Sequence, residues 1–207
     1  MKKIFTTLFT LLGFLNLALA QQKSNIEFGL GAGVGYSFIY QENNNSEIKL
    51  ALNAGAFADY YFSDSWSLKV KAMYDQKGWS DGNIYVTDED NGNQATIRGV
   101  DFRLNYITIP VTAEWHFGRT SNWYLNFGPY VGFLTSSTSS IYVPDLKDNY
   151  NTVDAGISFA VGVKIPISRH QKFFIESDGQ SGVTNIFKYS DQSNQNLRQS
   201  INIGIDF

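Results

Sequence analysis

Eight segments of this 207-residue chain alternate apolar and polar residues with a period of two, and no segment past the first twenty residues carries a helical repeat. Such alternation marks β-strands with one apolar face. In the first strand Ile26, Phe28, Leu30, Ala32, Val34, Tyr36 and Phe38 oppose Glu27, Ser37 and four glycines, Gly29, Gly31, Gly33 and Gly35. The second sets Ile48 to Phe62 (even positions) against Lys49, Asn53, Gly55 and Asp59, and the third sets Trp66, Leu68, Val70, Ala72 and Tyr74 against Lys69, Lys71 and Asp75. The fourth carries Ile107 to Phe117 (odd positions) on its apolar face. The fifth carries Trp123, Leu125, Phe127, Val131 and Phe133, and the sixth Val153 to Ile165. The seventh is weaker, with Phe173, Ile175 and Val183 opposing Glu176, Asp178 and Gln180. The eighth sets Leu197, Ile201, Ile203, Ile205 and Phe207 against Arg198, Ser200, Asn202 and Asp206.

The connections alternate in length. Gln41–Glu47, Asp81–Thr96, Ser136–Tyr150 and Phe187–Asn196 are long, whereas Ser63–Ser65, Gly118–Asn122 and Ile167–Gln171 are short. An even number of strands with short turns at one end and long loops at the other is the layout of an outer-membrane barrel. The expected fold is therefore all-β: an eight-stranded antiparallel up-and-down transmembrane β-barrel, with short periplasmic turns and longer extracellular loops. Eight antiparallel strands favour closure of the last strand on the first.

A soluble carrier barrel would also alternate, with its apolar face turned inward. Two features favour the membrane. The polar face is rich in Gly, Ser and Asn, as a narrow interior requires. Aromatics such as Tyr36, Tyr60, Trp66, Tyr74, Trp115, Trp123 and Phe133 stand near the ends of the apolar face, where girdles meet the membrane interfaces. The terminal Phe207 resembles the signal read by the outer-membrane insertion machinery.

Residues 1–20 read as a cleaved signal peptide: Lys2-Lys3, an apolar run from Ile4 to Leu17, and Ala18-Leu19-Ala20 before Gln21. The run is short for an uncleaved anchor. The barrel domain is then 21–207. With no cysteine, lipid anchoring at the cleavage site, disulfides and thiolate metal sites are excluded. The formal net charge of −3, more negative once Lys2 and Lys3 are removed, argues against nucleic acid as a partner.

Trp66 to Trp79 (WSLKVKAMYDQKGW), Tyr106 to Val111 (YITIPV), Trp123 to Leu134 (WYLNFGPYVGFL) and Asp154 to Ile165 (DAGISFAVGVKI) follow one another in an order that resembles the PorT-like outer-membrane β-barrel family of Gram-negative bacteria. Lys77-Gly78 and Tyr106–Pro110 are the most specific pieces. The resemblance implies a cell-outer-membrane location and the barrel fold. Its founding member resembles an accessory of a protein-secretion apparatus, so a link to secretion is implied.

The polar face places Glu27, Lys49, Asp59, Lys69, Lys71, Asp75, Glu114, Asp154, Lys164, Glu176, Asp178, Arg198 and Asp206 inside the barrel. An eight-stranded interior is just wide enough to be filled by side chains, so an ion-paired plug is expected, with a narrow or gated pore as the rival. The glycine series lacks the helix of a dinucleotide fingerprint and reads as room for neighbouring side chains. His116 and His170 lie near periplasmic turns beside Ser121 and Ser168, without a nucleophile motif. Asp88-Glu89-Asp90 lacks calcium-loop spacing. No catalytic, cofactor-binding or metal residue is assigned, and no cofactor is expected. The outer loops, with Tyr85, Tyr142, Tyr150 and Tyr189, suit surface binding. The expected role is structural or accessory in the envelope, non-enzymatic, with outer-membrane lipids, the insertion machinery (through Phe207) and an envelope or extracellular protein as partners. Surface recognition or adhesion through the loops and a small passive pore are the alternatives.

Overall fold

The computed structural model describes residues 26–41, 46–87, 94–141, 146–190 and 192–207. The signal segment 1–20, Asp88-Glu89-Asp90 and Tyr142 lie outside the described residues, as does the side chain of Tyr85. Eight strands follow one another: β1 (Ile26–Gln41), β2 (Lys49–Tyr61), β3 (Trp66–Thr87), β4 (Gln94–Phe117), β5 (Trp123–Ser139), β6 (Val153–Pro166), β7 (Lys172–Gly182) and β8 (Asn194–Asp206). Each pairs antiparallel with its neighbours in one closed ring. The seam runs from Gly29 opposite Asp206 to Gln41 opposite Asn194. At its periplasmic end the backbone groups of Phe28 and Phe207 exchange two hydrogen bonds, which closes the ring there.

The pleat puts the apolar set of every strand outward. Leu30, Val34, Leu50, Leu52, Leu68, Val111, Phe127, Phe159, Ile201 and Ile203 are all exposed, which in water would be an untenable surface and in hydrocarbon is the ordinary one. Trp66, Trp115, Trp123 and Tyr60 gather toward the periplasmic turns and Tyr36, Tyr74 and Phe133 toward the outer side. Trp66 and Trp115 face each other across the β3–β4 ladder with ring centroids 6.3 Å apart. The weak seventh segment is a full strand whose register runs from Lys172 to Gly182 with β6 and from Lys172 to Ser181 with β8.

The glycines do make room. A Cβ on Gly29 would stand 2.1 Å from the Phe57 ring, one on Gly31 2.8 Å from Phe174, and one on Gly162 2.3 Å from Tyr124. Large inward side chains from β2, β5 and, across the interior, β7 occupy those volumes, as close packing demands.

Two boundaries differ from expectation. The expected loop Asp81–Thr96 is mostly strand: β3 runs to Thr87 and β4 starts at Gln94, and their ladder continues to Thr87 opposite Gln94 with register shifts at Trp79/Gly82 and Gly82/Ile84. The expected loop Ser136–Tyr150 begins as β5, which continues to Ser139, and contains a short 3₁₀ turn (η1, Leu146–Asn149). Loss of alternation in the sequence at the irregularities hid the extension, because a bulge breaks the period of two. Gly78 is required there: its φ is +140° and a Cβ would lie 2.1 Å from the carbonyl oxygen of Phe102.

Candidate functional site

The inner face of the barrel divides into four tiers. Nearest the periplasm, Lys164 Nζ is 2.9 Å from Asp59, 3.1 Å from Asp206, 3.3 Å from Glu114 and 3.7 Å from Glu27. Lys69 pairs with Glu114 and stands 3.5 Å from Asp59, while Lys172 closes the rim on Glu27 at 2.5 Å. Glu27, Asp59 and Asp206 offer oxygens within 4.8 Å of one another, and the Lys164 ammonium stands where a metal cation would. In the middle tier Lys71 bonds Glu176 at 2.5 Å and Asp178 at 3.3 Å, and Arg198 bonds Asp178 and stands 3.1 Å from Asp75. Higher, Lys77 donates to Asp154 at 2.7 Å with Tyr130 at 3.2 Å from the same oxygen. Apart from Glu27 and Lys172 at the rim, these groups are buried, and buried charges persist only when paired. Lys49 is the exception among the expected interior charges: it reaches Asp101 at the outer rim, at 2.9 Å.

His116 does not meet Ser121. It lies inside the barrel with Nε2 3.3 Å from Ser67 Oγ and 3.2 Å from Glu114 Oε1. A Ser-His-acid relay needs its serine and its acid on different ring nitrogens; here one nitrogen serves both. His170 sits in the exposed turn before β7, where its backbone N–H donates to Ser168 Oγ at 3.3 Å.

The uppermost tier is apolar, which the expected polar inner face did not include. Ile39, Trp79, Val100, Phe102, Leu104, Tyr106, Leu134, Tyr150 and Ile186 form one buried cluster. Trp79 stacks on Phe102 at 4.6 Å and meets Tyr150 and Phe187 edge-on at 6.1 and 5.8 Å. Burial pushes the Tyr150 hydroxyl above its ordinary pKa. Trp79, Phe102 and Tyr150 of the cluster also line a cleft of about 780 Å³, together with Asp81, Arg98, Asn149, Phe187 and Tyr189 among others. Tyr189 is 87% exposed. At the outer rim, Lys49 holds the Asp101 carboxyl below the ordinary carboxylate range, with a second bond from Ser80. The parity of the residues carried the signal for this cluster: Trp79 continues the inward odd positions of β3, and Phe102 and Leu104 the inward even positions of β4.

Residues 19–188 match the family of outer membrane protein beta-barrel domains. No protein of curated function matches the sequence. Among solved structures, the fold is similar to OprG of Pseudomonas aeruginosa (10% identity, TM-score 0.51, 89% of this chain and 96% of that one). It is equally similar to Neisserial surface protein A (12% identity, TM-score 0.51, 87% of this chain and 97% of that one). At such identities the likeness bears on fold, and it agrees with eight antiparallel strands in one ring. The chain therefore belongs to the outer membrane protein beta-barrel domain family and resides in the outer membrane of a Gram-negative cell.

Proposed function

We propose that this barrel is a non-conducting, non-enzymatic scaffold that presents a protein-recognition cleft at its outer mouth. The observation that carries the reading is the cleft of about 780 Å³ standing above an interior already filled with ion pairs and aromatic rings. Among the described residues, the Trp79–Phe102–Leu104 tier sets buried apolar side chains across the outer end of the interior, and dewetted apolar constrictions oppose conduction. Function then falls to the outer face, where a rigid barrel fixes the loops. An exposed tyrosine beside Arg98 and Asp81 is a fitting anchor, since Tyr and Arg dominate protein interfaces. An accessory role in secretion, as in PorT-like barrels, is the same reading with the secretion apparatus as the partner. The Phe207 end is the handle we assign to the insertion machinery.

The test is site-specific photo-crosslinking in living cells. A crosslinking amino acid at Tyr189 is expected to capture a discrete partner, and Arg98→Gln is expected to weaken that capture while the barrel still migrates as a folded species in unboiled gels. Equal, indiscriminate labelling from Tyr189 and from the periplasmic turn at Thr120 would sink the reading.

A further inference from the structure

The middle tier of the interior is one positive charge short. Among the described residues, Lys71 and Arg198 stand within ion-pair distance of three carboxylates: Glu176, Asp178 and Asp75. The neighbouring Lys77–Asp154 pair is balanced within itself. The periplasmic tier also carries four carboxylates against three lysines, but it has the His116 imidazole 3.2 Å from Glu114. The middle tier has no imidazole.

Asp75 is the least satisfied member of that tier. It is fully buried. Its one ion-pair neighbour, Arg198 Nε at 3.1 Å, is not aligned for a hydrogen bond, and neither carboxylate oxygen has a hydrogen-bond partner. The charges facing it are Arg198 from β8, Lys77 from its own strand, Asp178 from β7 and Asp154 from β6. Directly opposite in the β2–β3 ladder stands Asn53, also buried, with both its amide nitrogen and its oxygen unpartnered. Facing residues on adjacent strands are within side-chain reach.

We propose that Asp75 and Asn53 form a site for one additional positive charge inside the barrel, with a proton on the Asp75 carboxyl as its occupant at neutral pH. A carboxylic acid and a primary amide complement each other completely. The acid O–H donates to Asn53 Oδ1 and the amide N–H of Asn53 donates to the acid carbonyl oxygen. That single proton removes the surplus charge and gives partners to both orphaned side chains. A buried water would supply hydrogen bonds but leave the charge unbalanced, and an unbalanced charge is the more costly defect in a low dielectric. A small metal cation bound by Asp75 and Asn53 Oδ1 would restore the charge but turn Asn53 Nδ2 away unpaired, so the geometry favours the proton. Asp75→Asn is then an isosteric stand-in for the neutral acid.

The experiment is infrared spectroscopy of the whole protein in lipid nanodiscs at neutral pH, with wild type, Asp75→Asn and Asp178→Asn compared. Unboiled gel mobility checks each barrel. A carboxylic-acid carbonyl band that shifts in D₂O is expected in wild type and lost in Asp75→Asn. It is also expected to be lost in Asp178→Asn, because removing the competing carboxylate lets Asp75 ionise against Arg198. A merely structural aspartate would not respond to that second change. If the wild-type band is missing but chelation, or exchange of potassium for a bulky organic cation, lowers the unfolding midpoint of wild type and not of Asp75→Asn, the site stands with a metal cation as its source of charge. A wild-type spectrum without an Asp75-dependent band, together with no cation dependence, would overturn the proposal.

Discussion

At the residue scale, the chain's polar inner face was legible in its sequence, because a period of two fixes which residues point inward. Which charges meet was not legible. Lys71 finds Glu176 across 105 positions of chain, and that pairing depends on the tilt and stagger of the closed ring rather than on any local spacing. The pairing makes single truncations expensive. Lys77→Met strands Asp154 in the interior, and removing one partner of a buried pair costs about 3–5 kcal/mol. Denaturant unfolding in vesicles is expected to show that loss, and Lys77→Met with Asp154→Leu to recover most of it. The rim pair behaves differently because it is open to water. Asp101 has a depressed carboxyl, so the stability that it lends is present above the ordinary carboxylate value of about 3.9 and fades as pH falls through its lower folded value. Hydrogen exchange along the outer half of β4 is expected to accelerate only below that range in wild type, and at neutral pH in Asp101→Asn.

At the scale of the element, the β3–β4 hairpin is the part that sequence reading shortened most. Lys77, Trp79, Phe102 and Leu104 keep the inward parity of their strands, so the signal was present. Gly78, Asp81, Gly82 and Gly99, with the irregular register they allow, read as turn residues and concealed it. The hairpin's apolar inner face, with β5 and the segment around Ile186, makes a small water-type core above the membrane, and ordinary core energetics apply there. Trp79→Ala removes a side chain that is 6% exposed and is expected to cost about 3–5 kcal/mol in that outer unit. Proteolysis of the intact barrel should report it as new cleavage between 79 and 102, with the membrane-embedded strands still protected. Unchanged resistance would mean that the hairpin stands without its core.

At the scale of the whole molecule, the eight strands, their order and the outward apolar band were legible, since alternation and turn length specify an up-and-down barrel almost completely. The seal was not, because it is assembled from β1, β3, β4, β5 and two outer segments that meet only after closure. The barrel we propose is therefore filled rather than hollow: ion pairs through the membrane, aromatic rings at the outer mouth, and recognition outside. Conductance across a planar bilayer tests this most directly. The purified wild-type barrel, inserted and shown to be folded by its unboiled mobility, is expected to give no steady current steps, and Trp79→Ala with Phe102→Ala is expected to admit at most brief, irregular ones. Regular, long-lived steps from the wild type would contradict the account and make the interior a pore.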